Sequence, residues 1–346
     1  MISKKFCNIS IEGLACAVPS KAVLSQELTE LFDANSVNRF VAATGIKQRH
    51  VTNGKQTGSD LCYVAAKKLM AEKSLNGDDI DALVFVTQFP DYKIPSTAYV
   101  LQYRLGIKQD CLVFDVNLGC SAFINGIYFL AGLIESGTIN RGLLLVGDVD
   151  MEFQNTSDIS FAGMFGDAGS ACLITKGTDF VKGMIRSDGS GYKTIWTPKP
   201  GARFPQKNNG PLFKTMNGED TFTFTITKVP KLLKEFCNTF ETPIENFDYC
   251  ILHQANLMVL KQIAKKLKID MSKVPVSLDK YGNTDGSSIP VTIVNLCEKL
   301  KKSERLNLIA SGFGVGLSWG VISFTIATDD VLSMIVTDDY YKEDYV

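Results

Sequence analysis

Apolar residues in this chain follow two patterns that alternate from end to end. Short unbroken apolar runs, the mark of strands buried on both faces, occur at residues 80–86 (IDALVFV), 142–147 (GLLLVG), 247–252 (FDYCIL) and 306–310 (LNLIA), and residues 112–116 alternate as a strand does. An N-terminal strand with Ile9, Ile11 and Leu14 facing inward ends near Pro19, and residues 165–175 and 319–326 also read as extended. Helical spacing predicts helices from Ser25 or Glu27 to Phe32 and over 59–73, 97–105, 122–134, 226–240, 259–267 and 289–300. Residues 53–59 are polar and glycine-bearing and read as a loop, and residues 274–278 as extended.

The order repeats. Asp81 to Gly119 spans 38 positions and Asp248 to Gly282 spans 34; from each glycine to the next buried strand, at Gly142 or Leu306, is 23 or 24. Matching order and spacing point to an internal duplication, and alternating strands and helices to mostly parallel sheets covered by helices. The expected fold class is α/β: two duplicated halves in a five-layered αβαβα arrangement, with the helices at 122–134 and 289–300 packed together at the centre. The expected division is residues 1–178, 179–328 and an acidic extension at 329–346, with the joint near 176–183. Acidic tails are most often disordered, although the apolar stretch 331–336 suits docking on the body.

Composition narrows the function. The 346 residues are 45% hydrophobic and 21% charged with a net charge of −1, so no basic balance suggests nucleic acid. No apolar run is long enough to span a membrane. Lys4 and Lys5 precede apolar residues, but Asn8 and Glu12 interrupt a signal-peptide core, so the reading is a first strand in a cytoplasmic protein. Nine cysteines, an odd number with no C-x-x-C, argue against a disulfide framework or zinc ribbon, and two separated histidines make no metal site.

The chemistry centres on Cys120. Phe114, Val116 and Leu118 alternate, Gly119 supplies a turn, and a helix follows, so the thiol lies at a helix entrance. Unpaired N–H groups and the dipole favour an anion there, and can lower a thiol from about 8.5 to ~3.5–7.5. Buried cysteines mostly act as small hydrophobes, which is the competing reading. His253 follows the strand at 247–252, where ligands of open α/β sheets collect, yet a lone histidine there is more often a satisfied core residue. Asn283 occupies the turn equivalent to Cys120, yet Asn after Gly is ordinary turn chemistry. Residues 311–320 (SGFGVGLSWG) place glycines at 312, 314, 316 and 320, whose N–H groups suit an oxyanion; no lysine follows, so this is not a P-loop.

The motifs GCSAF, HQAN, YGNTDGSSIP and GFGVGLSWG, supported by TGIKQRH, IPSTA and FGDAGSACL, resemble those of the thiolase superfamily, nearest to β-ketoacyl-acyl-carrier-protein synthase III, over residues 5 to 327. The resemblance implies a thiolase-like fold and a Cys120, His253, Asn283 site. Cys120 would carry the acyl group, and His253 and Asn283 would stabilise the enolate formed as malonyl thioester loses CO2. The backbone N–H groups of Cys120 and Val315 would form the oxyanion hole, and Phe313, Gly314, Gly316 and Ile94 would line the substrate pocket. It implies no metal or cofactor, acyl-CoA and acyl carrier protein as substrates and partners, and a homodimer.

Some positions depart from the family's pattern. Ala43, Met258 and residues 150–160 lack arginines that usually hold the CoA nucleotide or carrier protein, and Arg39 aligns with a tryptophan. Lys4, Lys5, Arg39, Lys47 and Arg49 are candidate substitutes. Gln88 stands where the hydroxymethylglutaryl-CoA synthase branch has a catalytic glutamate, which argues against that condensation. Two competing functions are acyl transfer from Cys120 to an alcohol or amine, and a non-catalytic scaffold in which Cys120 is no more reactive than Cys62 or Cys237.

Overall fold

Ile9, Ile11 and Leu14 are buried along β1 (Ser3–Pro19), as their spacing predicts. The first half continues through α1 (Ala34–Thr44), α2 (Gly58–Glu72), β2 (Ala82–Val86), α3 (Thr97–Leu105), β3 (Leu112–Val116), α4 (Ala122–Glu135), β4 (Arg141–Asp148) and β5 (Ala168–Ser187). The second holds α5 (Gly218–Thr239), β6 (Tyr249–Leu252), α6 (Leu257–Leu267), α7 (Ser288–Cys297), β7 (Arg305–Gly314) and β8 (Ser318–Ala327), with a short β9 (Ile335–Thr337) after it. This computed structural model describes residues 2–150, 156–198, 202–203 and 214–342. Part of the arginine-poor segment 150–160 and the end of the acidic tail lie outside the described residues.

Both halves use one pairing pattern. β2 runs parallel to β3 and β4, β4 antiparallel to β5, and β5 antiparallel to β1. Likewise β6 runs parallel to β7, β7 antiparallel to β8, and β8 antiparallel to the distal part of β5. The aspartates used to measure the repeat make matching bonds: Asp81 Oδ2 accepts from Arg141 N at 3.0 Å, and Asp248 Oδ2 from Asn307 N at 2.7 Å. Each ties the start of one parallel strand to its neighbour.

β5 joins the strands of both halves into one continuous nine-stranded sheet. Its proximal residues pair with β4 from Ala168 to Thr175, and its distal residues pair with β8 from Lys182 to Ser187. The expected joint at 176–183 is therefore the middle of a continuous strand rather than a linker, and we propose that the division between the halves falls there. No strand forms at 274–278, the one expected extended segment without a ladder.

Three buried clusters fill the spaces between the layers. One joins α2 and α3 to β2 and β4, through residues such as Leu61, Leu69, Leu101, Leu83 and Leu145. Another joins α5 and α6 to β7 and β8, through Leu233, Phe236, Ile263, Ile309 and Val321. The central one contains Phe123, Ile124, Ile127 and Leu130 of α4 together with Ile289, Val291, Ile293 and Val294 of α7. All ten residues of α7 are buried, as an apolar helix between two layers of sheet requires.

α1 escapes the apolar pattern, because few of its residues are buried. Its caps are nevertheless plain in the sequence: Asp33 accepts from Ser36 N, and Gly45 takes the left-handed conformation at φ 77°. α5 begins at Gly218, eight residues before the expected start at 226, under an Asn217 cap bonded to Asp220 N at 3.1 Å.

The C-terminal extension docks through residue 342, against the tendency of acidic tails. β9 adds to β1 in parallel at Ala17–Pro19. Gln56 Nε2 donates to the carbonyls of Thr337 and Asp339, both at 3.0 Å. The Arg104 guanidinium lies between the rings of Tyr63 and Tyr341, at 4.2 and 4.6 Å, and pairs with buried Asp60 at 2.9 Å. Desolvated cation–π contacts of this kind are worth about 2 kcal/mol, which explains why so charged a segment is held.

Candidate active site

α4 begins two residues after Cys120, and the turn that carries the cysteine packs against the glycine strand β7. Gly312 and Gly314 make that approach possible. A Cβ on Gly312 would meet the Cys120 carbonyl oxygen at 2.8 Å, and one on Gly314 would meet Cys120 Sγ at 2.6 Å. The glycines are therefore a space requirement for seating the cysteine. Val315, just past β7, turns a backbone N–H that favours the thiolate toward Cys120.

His253 follows β6 and is held by residues of its own half. Its Nδ1 lies 2.6 Å from Ser288 Oγ at the start of α7, and its ring meets Phe313 edge-on at 5.4 Å. Asn283 lies in an isolated bridge with Phe165, and its Oδ1 accepts from Asp285 N at 3.0 Å. The symmetry with Cys120 is looser than the spacing implies. A 3-10 turn, Asp285–Ser287, intervenes between Asn283 and α7.

Cys120, His253, Asn283, Phe313, Gly314 and Val315 line one cavity of about 270 Å³. Its walls are otherwise largely apolar, with Met164, Phe165, Ile195, Phe222 and Met258 among them. Two expected lining residues are not there. Ile94 is 87% exposed and lies outside this cavity. Gly316 lies one residue beyond the lining stretch, in the turn between β7 and β8. Of the proposed compensating cations, Lys4 pairs with Glu135 at 2.9 Å, Arg39 bonds Ser36 Oγ and Arg49 bonds the Phe165 carbonyl. None of the five lines the cavity.

The sequence reading passed over two charged groups in the cavity, Asp285 and Lys214. The Cys120 thiol donates to Asp285 Oδ1 at 3.2 Å. Lys214 Nζ is 3.8 Å from Asp285 Oδ2 and 3.0 Å from Asp150 Oδ2, with all three side chains under 10% exposed. Asp285 takes φ 46°, a left-handed conformation that aspartate tolerates better than most residues. Gly119 makes room for it: a Cβ there would meet Gln88 Oε1 at 2.3 Å and Asp285 Oδ1 at 3.0 Å. Asp285 stands inside the quoted motif YGNTDGSS, so its place in the turn was legible. Lys214 belongs to no motif and carries no pattern in the sequence.

Electrostatics overturn one expectation. Burial, then the Asp285 charge and its hydrogen bond, push the Cys120 thiol well up; Val315 N–H and Lys214 pull it the other way without prevailing. The resting cysteine is thus a half-buried group held toward the thiol form, where a helix entrance alone would favour the thiolate. Burial lowers Lys214, but Asp285 and Asp150 outweigh it, and the ammonium is held above its usual range. Asp148, pushed up to about 7 by burial and by Asp285, accepts from Thr87 Oγ1, Gln88 N and Gly286 N and so fixes the turn carrying Asp285.

Burial brings His253 down to about 4, with the Asp285 charge and backbone opposing. The ring is easier to protonate unfolded, near 6.5, than folded. Its contribution to stability is therefore full above about 6.5 and is lost as pH falls toward 4, by about 3 kcal/mol in all. The chain has two histidines. In a histidine-labelled NMR titration we expect one ring to stay neutral from pH 8 to 5, and to be the ring absent in His253→Gln.

Family models match two stretches of the chain: 3-oxoacyl-[acyl-carrier-protein] synthase III at residues 114–189, and the C-terminal domain of the same family at residues 237–326. β-Ketoacyl-[acyl-carrier-protein] synthase III of Streptococcus pneumoniae is 32% identical over 324 residues, covering 91% of this chain and 98% of its own. A 3-oxoacyl-(acyl-carrier protein) synthase structure from Burkholderia xenovorans superposes with a TM-score of 0.90 at 33% identity, covering 97% of this chain and 99% of that one. The priming β-ketosynthase of the R1128 polyketide pathway shares the fold at 18% identity, with a TM-score of 0.85 over 92% of this chain and 96% of its own. The motifs, the duplicated thiolase fold and these matches lead to one assignment: the chain belongs to the β-ketoacyl-acyl-carrier-protein synthase III family.

Proposed function

We propose that this chain catalyses decarboxylative Claisen condensation of an acyl thioester with malonyl-acyl-carrier-protein in fatty acid or related lipid synthesis. What supports the reading is the meeting of Cys120, His253, Asn283 and the Val315 N–H in one cavity with apolar walls. Cys120 attacks the acyl thioester, and the carrier thiol leaves. The acyl oxygen draws on the N–H groups of Cys120 and Val315, each such donor being worth about 3–4 kcal/mol in a transition state. Malonyl thioester then enters. With Ser288 donating to Nδ1, the neutral His253 ring offers Nε2–H to the thioester carbonyl, and the Asn283 amide offers a second donor. Loss of CO2 leaves an enolate on that carbonyl. Its carbon attacks the acyl-Cys120 carbonyl, forming the β-ketoacyl thioester and releasing the cysteine sulfur.

A neutral imidazole suits this role, since it stabilises an enolate without protonating it. The substrates themselves supply electrophile and carbanion, so the reading invokes no cofactor or metal. It assigns acyl-CoA and acyl carrier protein as partners and a homodimer as the assembly. A partner copy would explain the exposed Ile94 beside α3. The test is product analysis after incubation with acyl-CoA and malonyl-acyl-carrier-protein. CO2 release with a β-keto product two carbons longer is expected. An ester or amide of an added alcohol or amine, with no CO2, would replace this reading by simple acyl transfer.

A further inference from the structure

We infer that Asp285 is the proton acceptor for Cys120 during acylation, with Lys214 as the residue that holds it in position. The inference rests on Cys120 being the acyl carrier. A thiol held well above its ordinary range supplies little thiolate by itself. It needs an internal acceptor, and Asp285 Oδ1 is the carboxylate oxygen in hydrogen-bond contact with the sulfur, at 3.2 Å. With Ser288 Oγ donating to His253 Nδ1 at 2.6 Å, His253 Nε2 carries the ring's proton and has no lone pair with which to accept another.

The surroundings of Asp285 fit the task. The charged and titratable groups facing it are Cys120, Lys214, His253 and Asp148. Lys214 Nζ, 3.8 Å from Oδ2, keeps positive charge beside the oxygen that is not bonded to sulfur, while Asp150 at 3.0 Å anchors the lysine. Asp148 takes the Gly286 N–H and so fixes the turn. Gly119, at the entrance to the cysteine turn, leaves the space in which the carboxylate reaches the sulfur.

The step balances without any outside reagent. As the sulfur bonds to the thioester carbonyl carbon, the S–H proton moves to Asp285 Oδ1. When the tetrahedral adduct collapses, the C–S bond to the carrier breaks and Asp285 returns the proton to the departing thiolate. Acyl-Cys120 and free carrier thiol result, and the Asp285 carboxylate is restored.

The decisive measurement is single-turnover acylation with octanoyl-CoA or acetyl-CoA, followed by intact mass, for the unmodified protein, Asp285→Asn and Asp285→Glu. Removing the acceptor is expected to slow acylation by about 10²-fold, with Asp285→Glu recovering part of the loss. A purely electrostatic role makes the opposite forecast. Asp285 raises the thiol, so its neutralisation would increase thiolate and speed acylation. An equal or faster rate in Asp285→Asn overturns the inference while leaving Cys120 as the carrier. Adduct formation in Cys120→Ala would instead overturn the reading beneath it. Should Asp285→Asn not fold, the solvent isotope effect on acylation of the unmodified protein decides. A normal effect of about 2 is expected for a proton in flight, and a ratio at or below one overturns the inference.

Discussion

Replacing His253 by alanine is expected to lower condensation by about 10²–10³-fold while Cys120 is still acylated within a few-fold of the normal rate. The two halves of the reaction draw on different donors. Acylation uses the sulfur, its proton acceptor and the N–H groups of Cys120 and Val315. Decarboxylation needs donors aimed at the malonyl carbonyl, and the imidazole is one of two side chains placed for that, the other being the Asn283 amide. A lost donor to a developing enolate removes transition-state stabilisation that substrate binding cannot replace. The acylated protein should therefore accumulate, visible by mass, and fail to release CO2 from malonyl-acyl-carrier-protein. Equal loss of both half-reactions would mean that His253 serves Cys120 rather than the enolate.

Gly314→Ala should be nearly as damaging, for a steric reason. The added methyl would lie 2.6 Å from Cys120 Sγ and 2.8 Å from its Cβ, closer than side-chain carbons are found to their neighbours. Either the sulfur rotates away from Asp285 or β7 moves and carries Val315 with it. A displacement of about 1 Å at a reacting atom costs on the order of 10²-fold. Acylation should fall by that factor or more, with the folded structure kept, because β7 and β8 hold their register along ten residue pairs. A Gly314→Ala protein acylated at the normal rate would show that the sulfur reacts from a different position.

The sequence carried most of this architecture because the core strands are apolar without interruption and the repeat is spaced evenly. It carried the candidate site because the motifs around Cys120, His253 and Asn283 resemble those of a known family; position alone left His253 and Asn283 as ordinary core and turn residues. Other features were hidden for physical reasons. α1 is a surface helix, whose caps rather than its apolar pattern announce it. Lys214 is a single buried lysine, and no periodicity in the sequence marks one. The thiol's resting state depended on the side chain facing it, which no spacing in the first half reveals: Asp285 lies 165 positions away. The tail held because Tyr341 packs on the Arg104 guanidinium, β9 pairs with β1 and Gln56 binds two of its carbonyls.

Everything proposed for this cavity depends on an acyl group resting on one sulfur. The most direct test is intact mass and peptide mapping after incubation with octanoyl-CoA or acetyl-CoA. A single acyl addition on Cys120, absent from Cys120→Ala together with all turnover, is the predicted result. An adduct on any of the other eight cysteines, or undiminished product from Cys120→Ala, would contradict it.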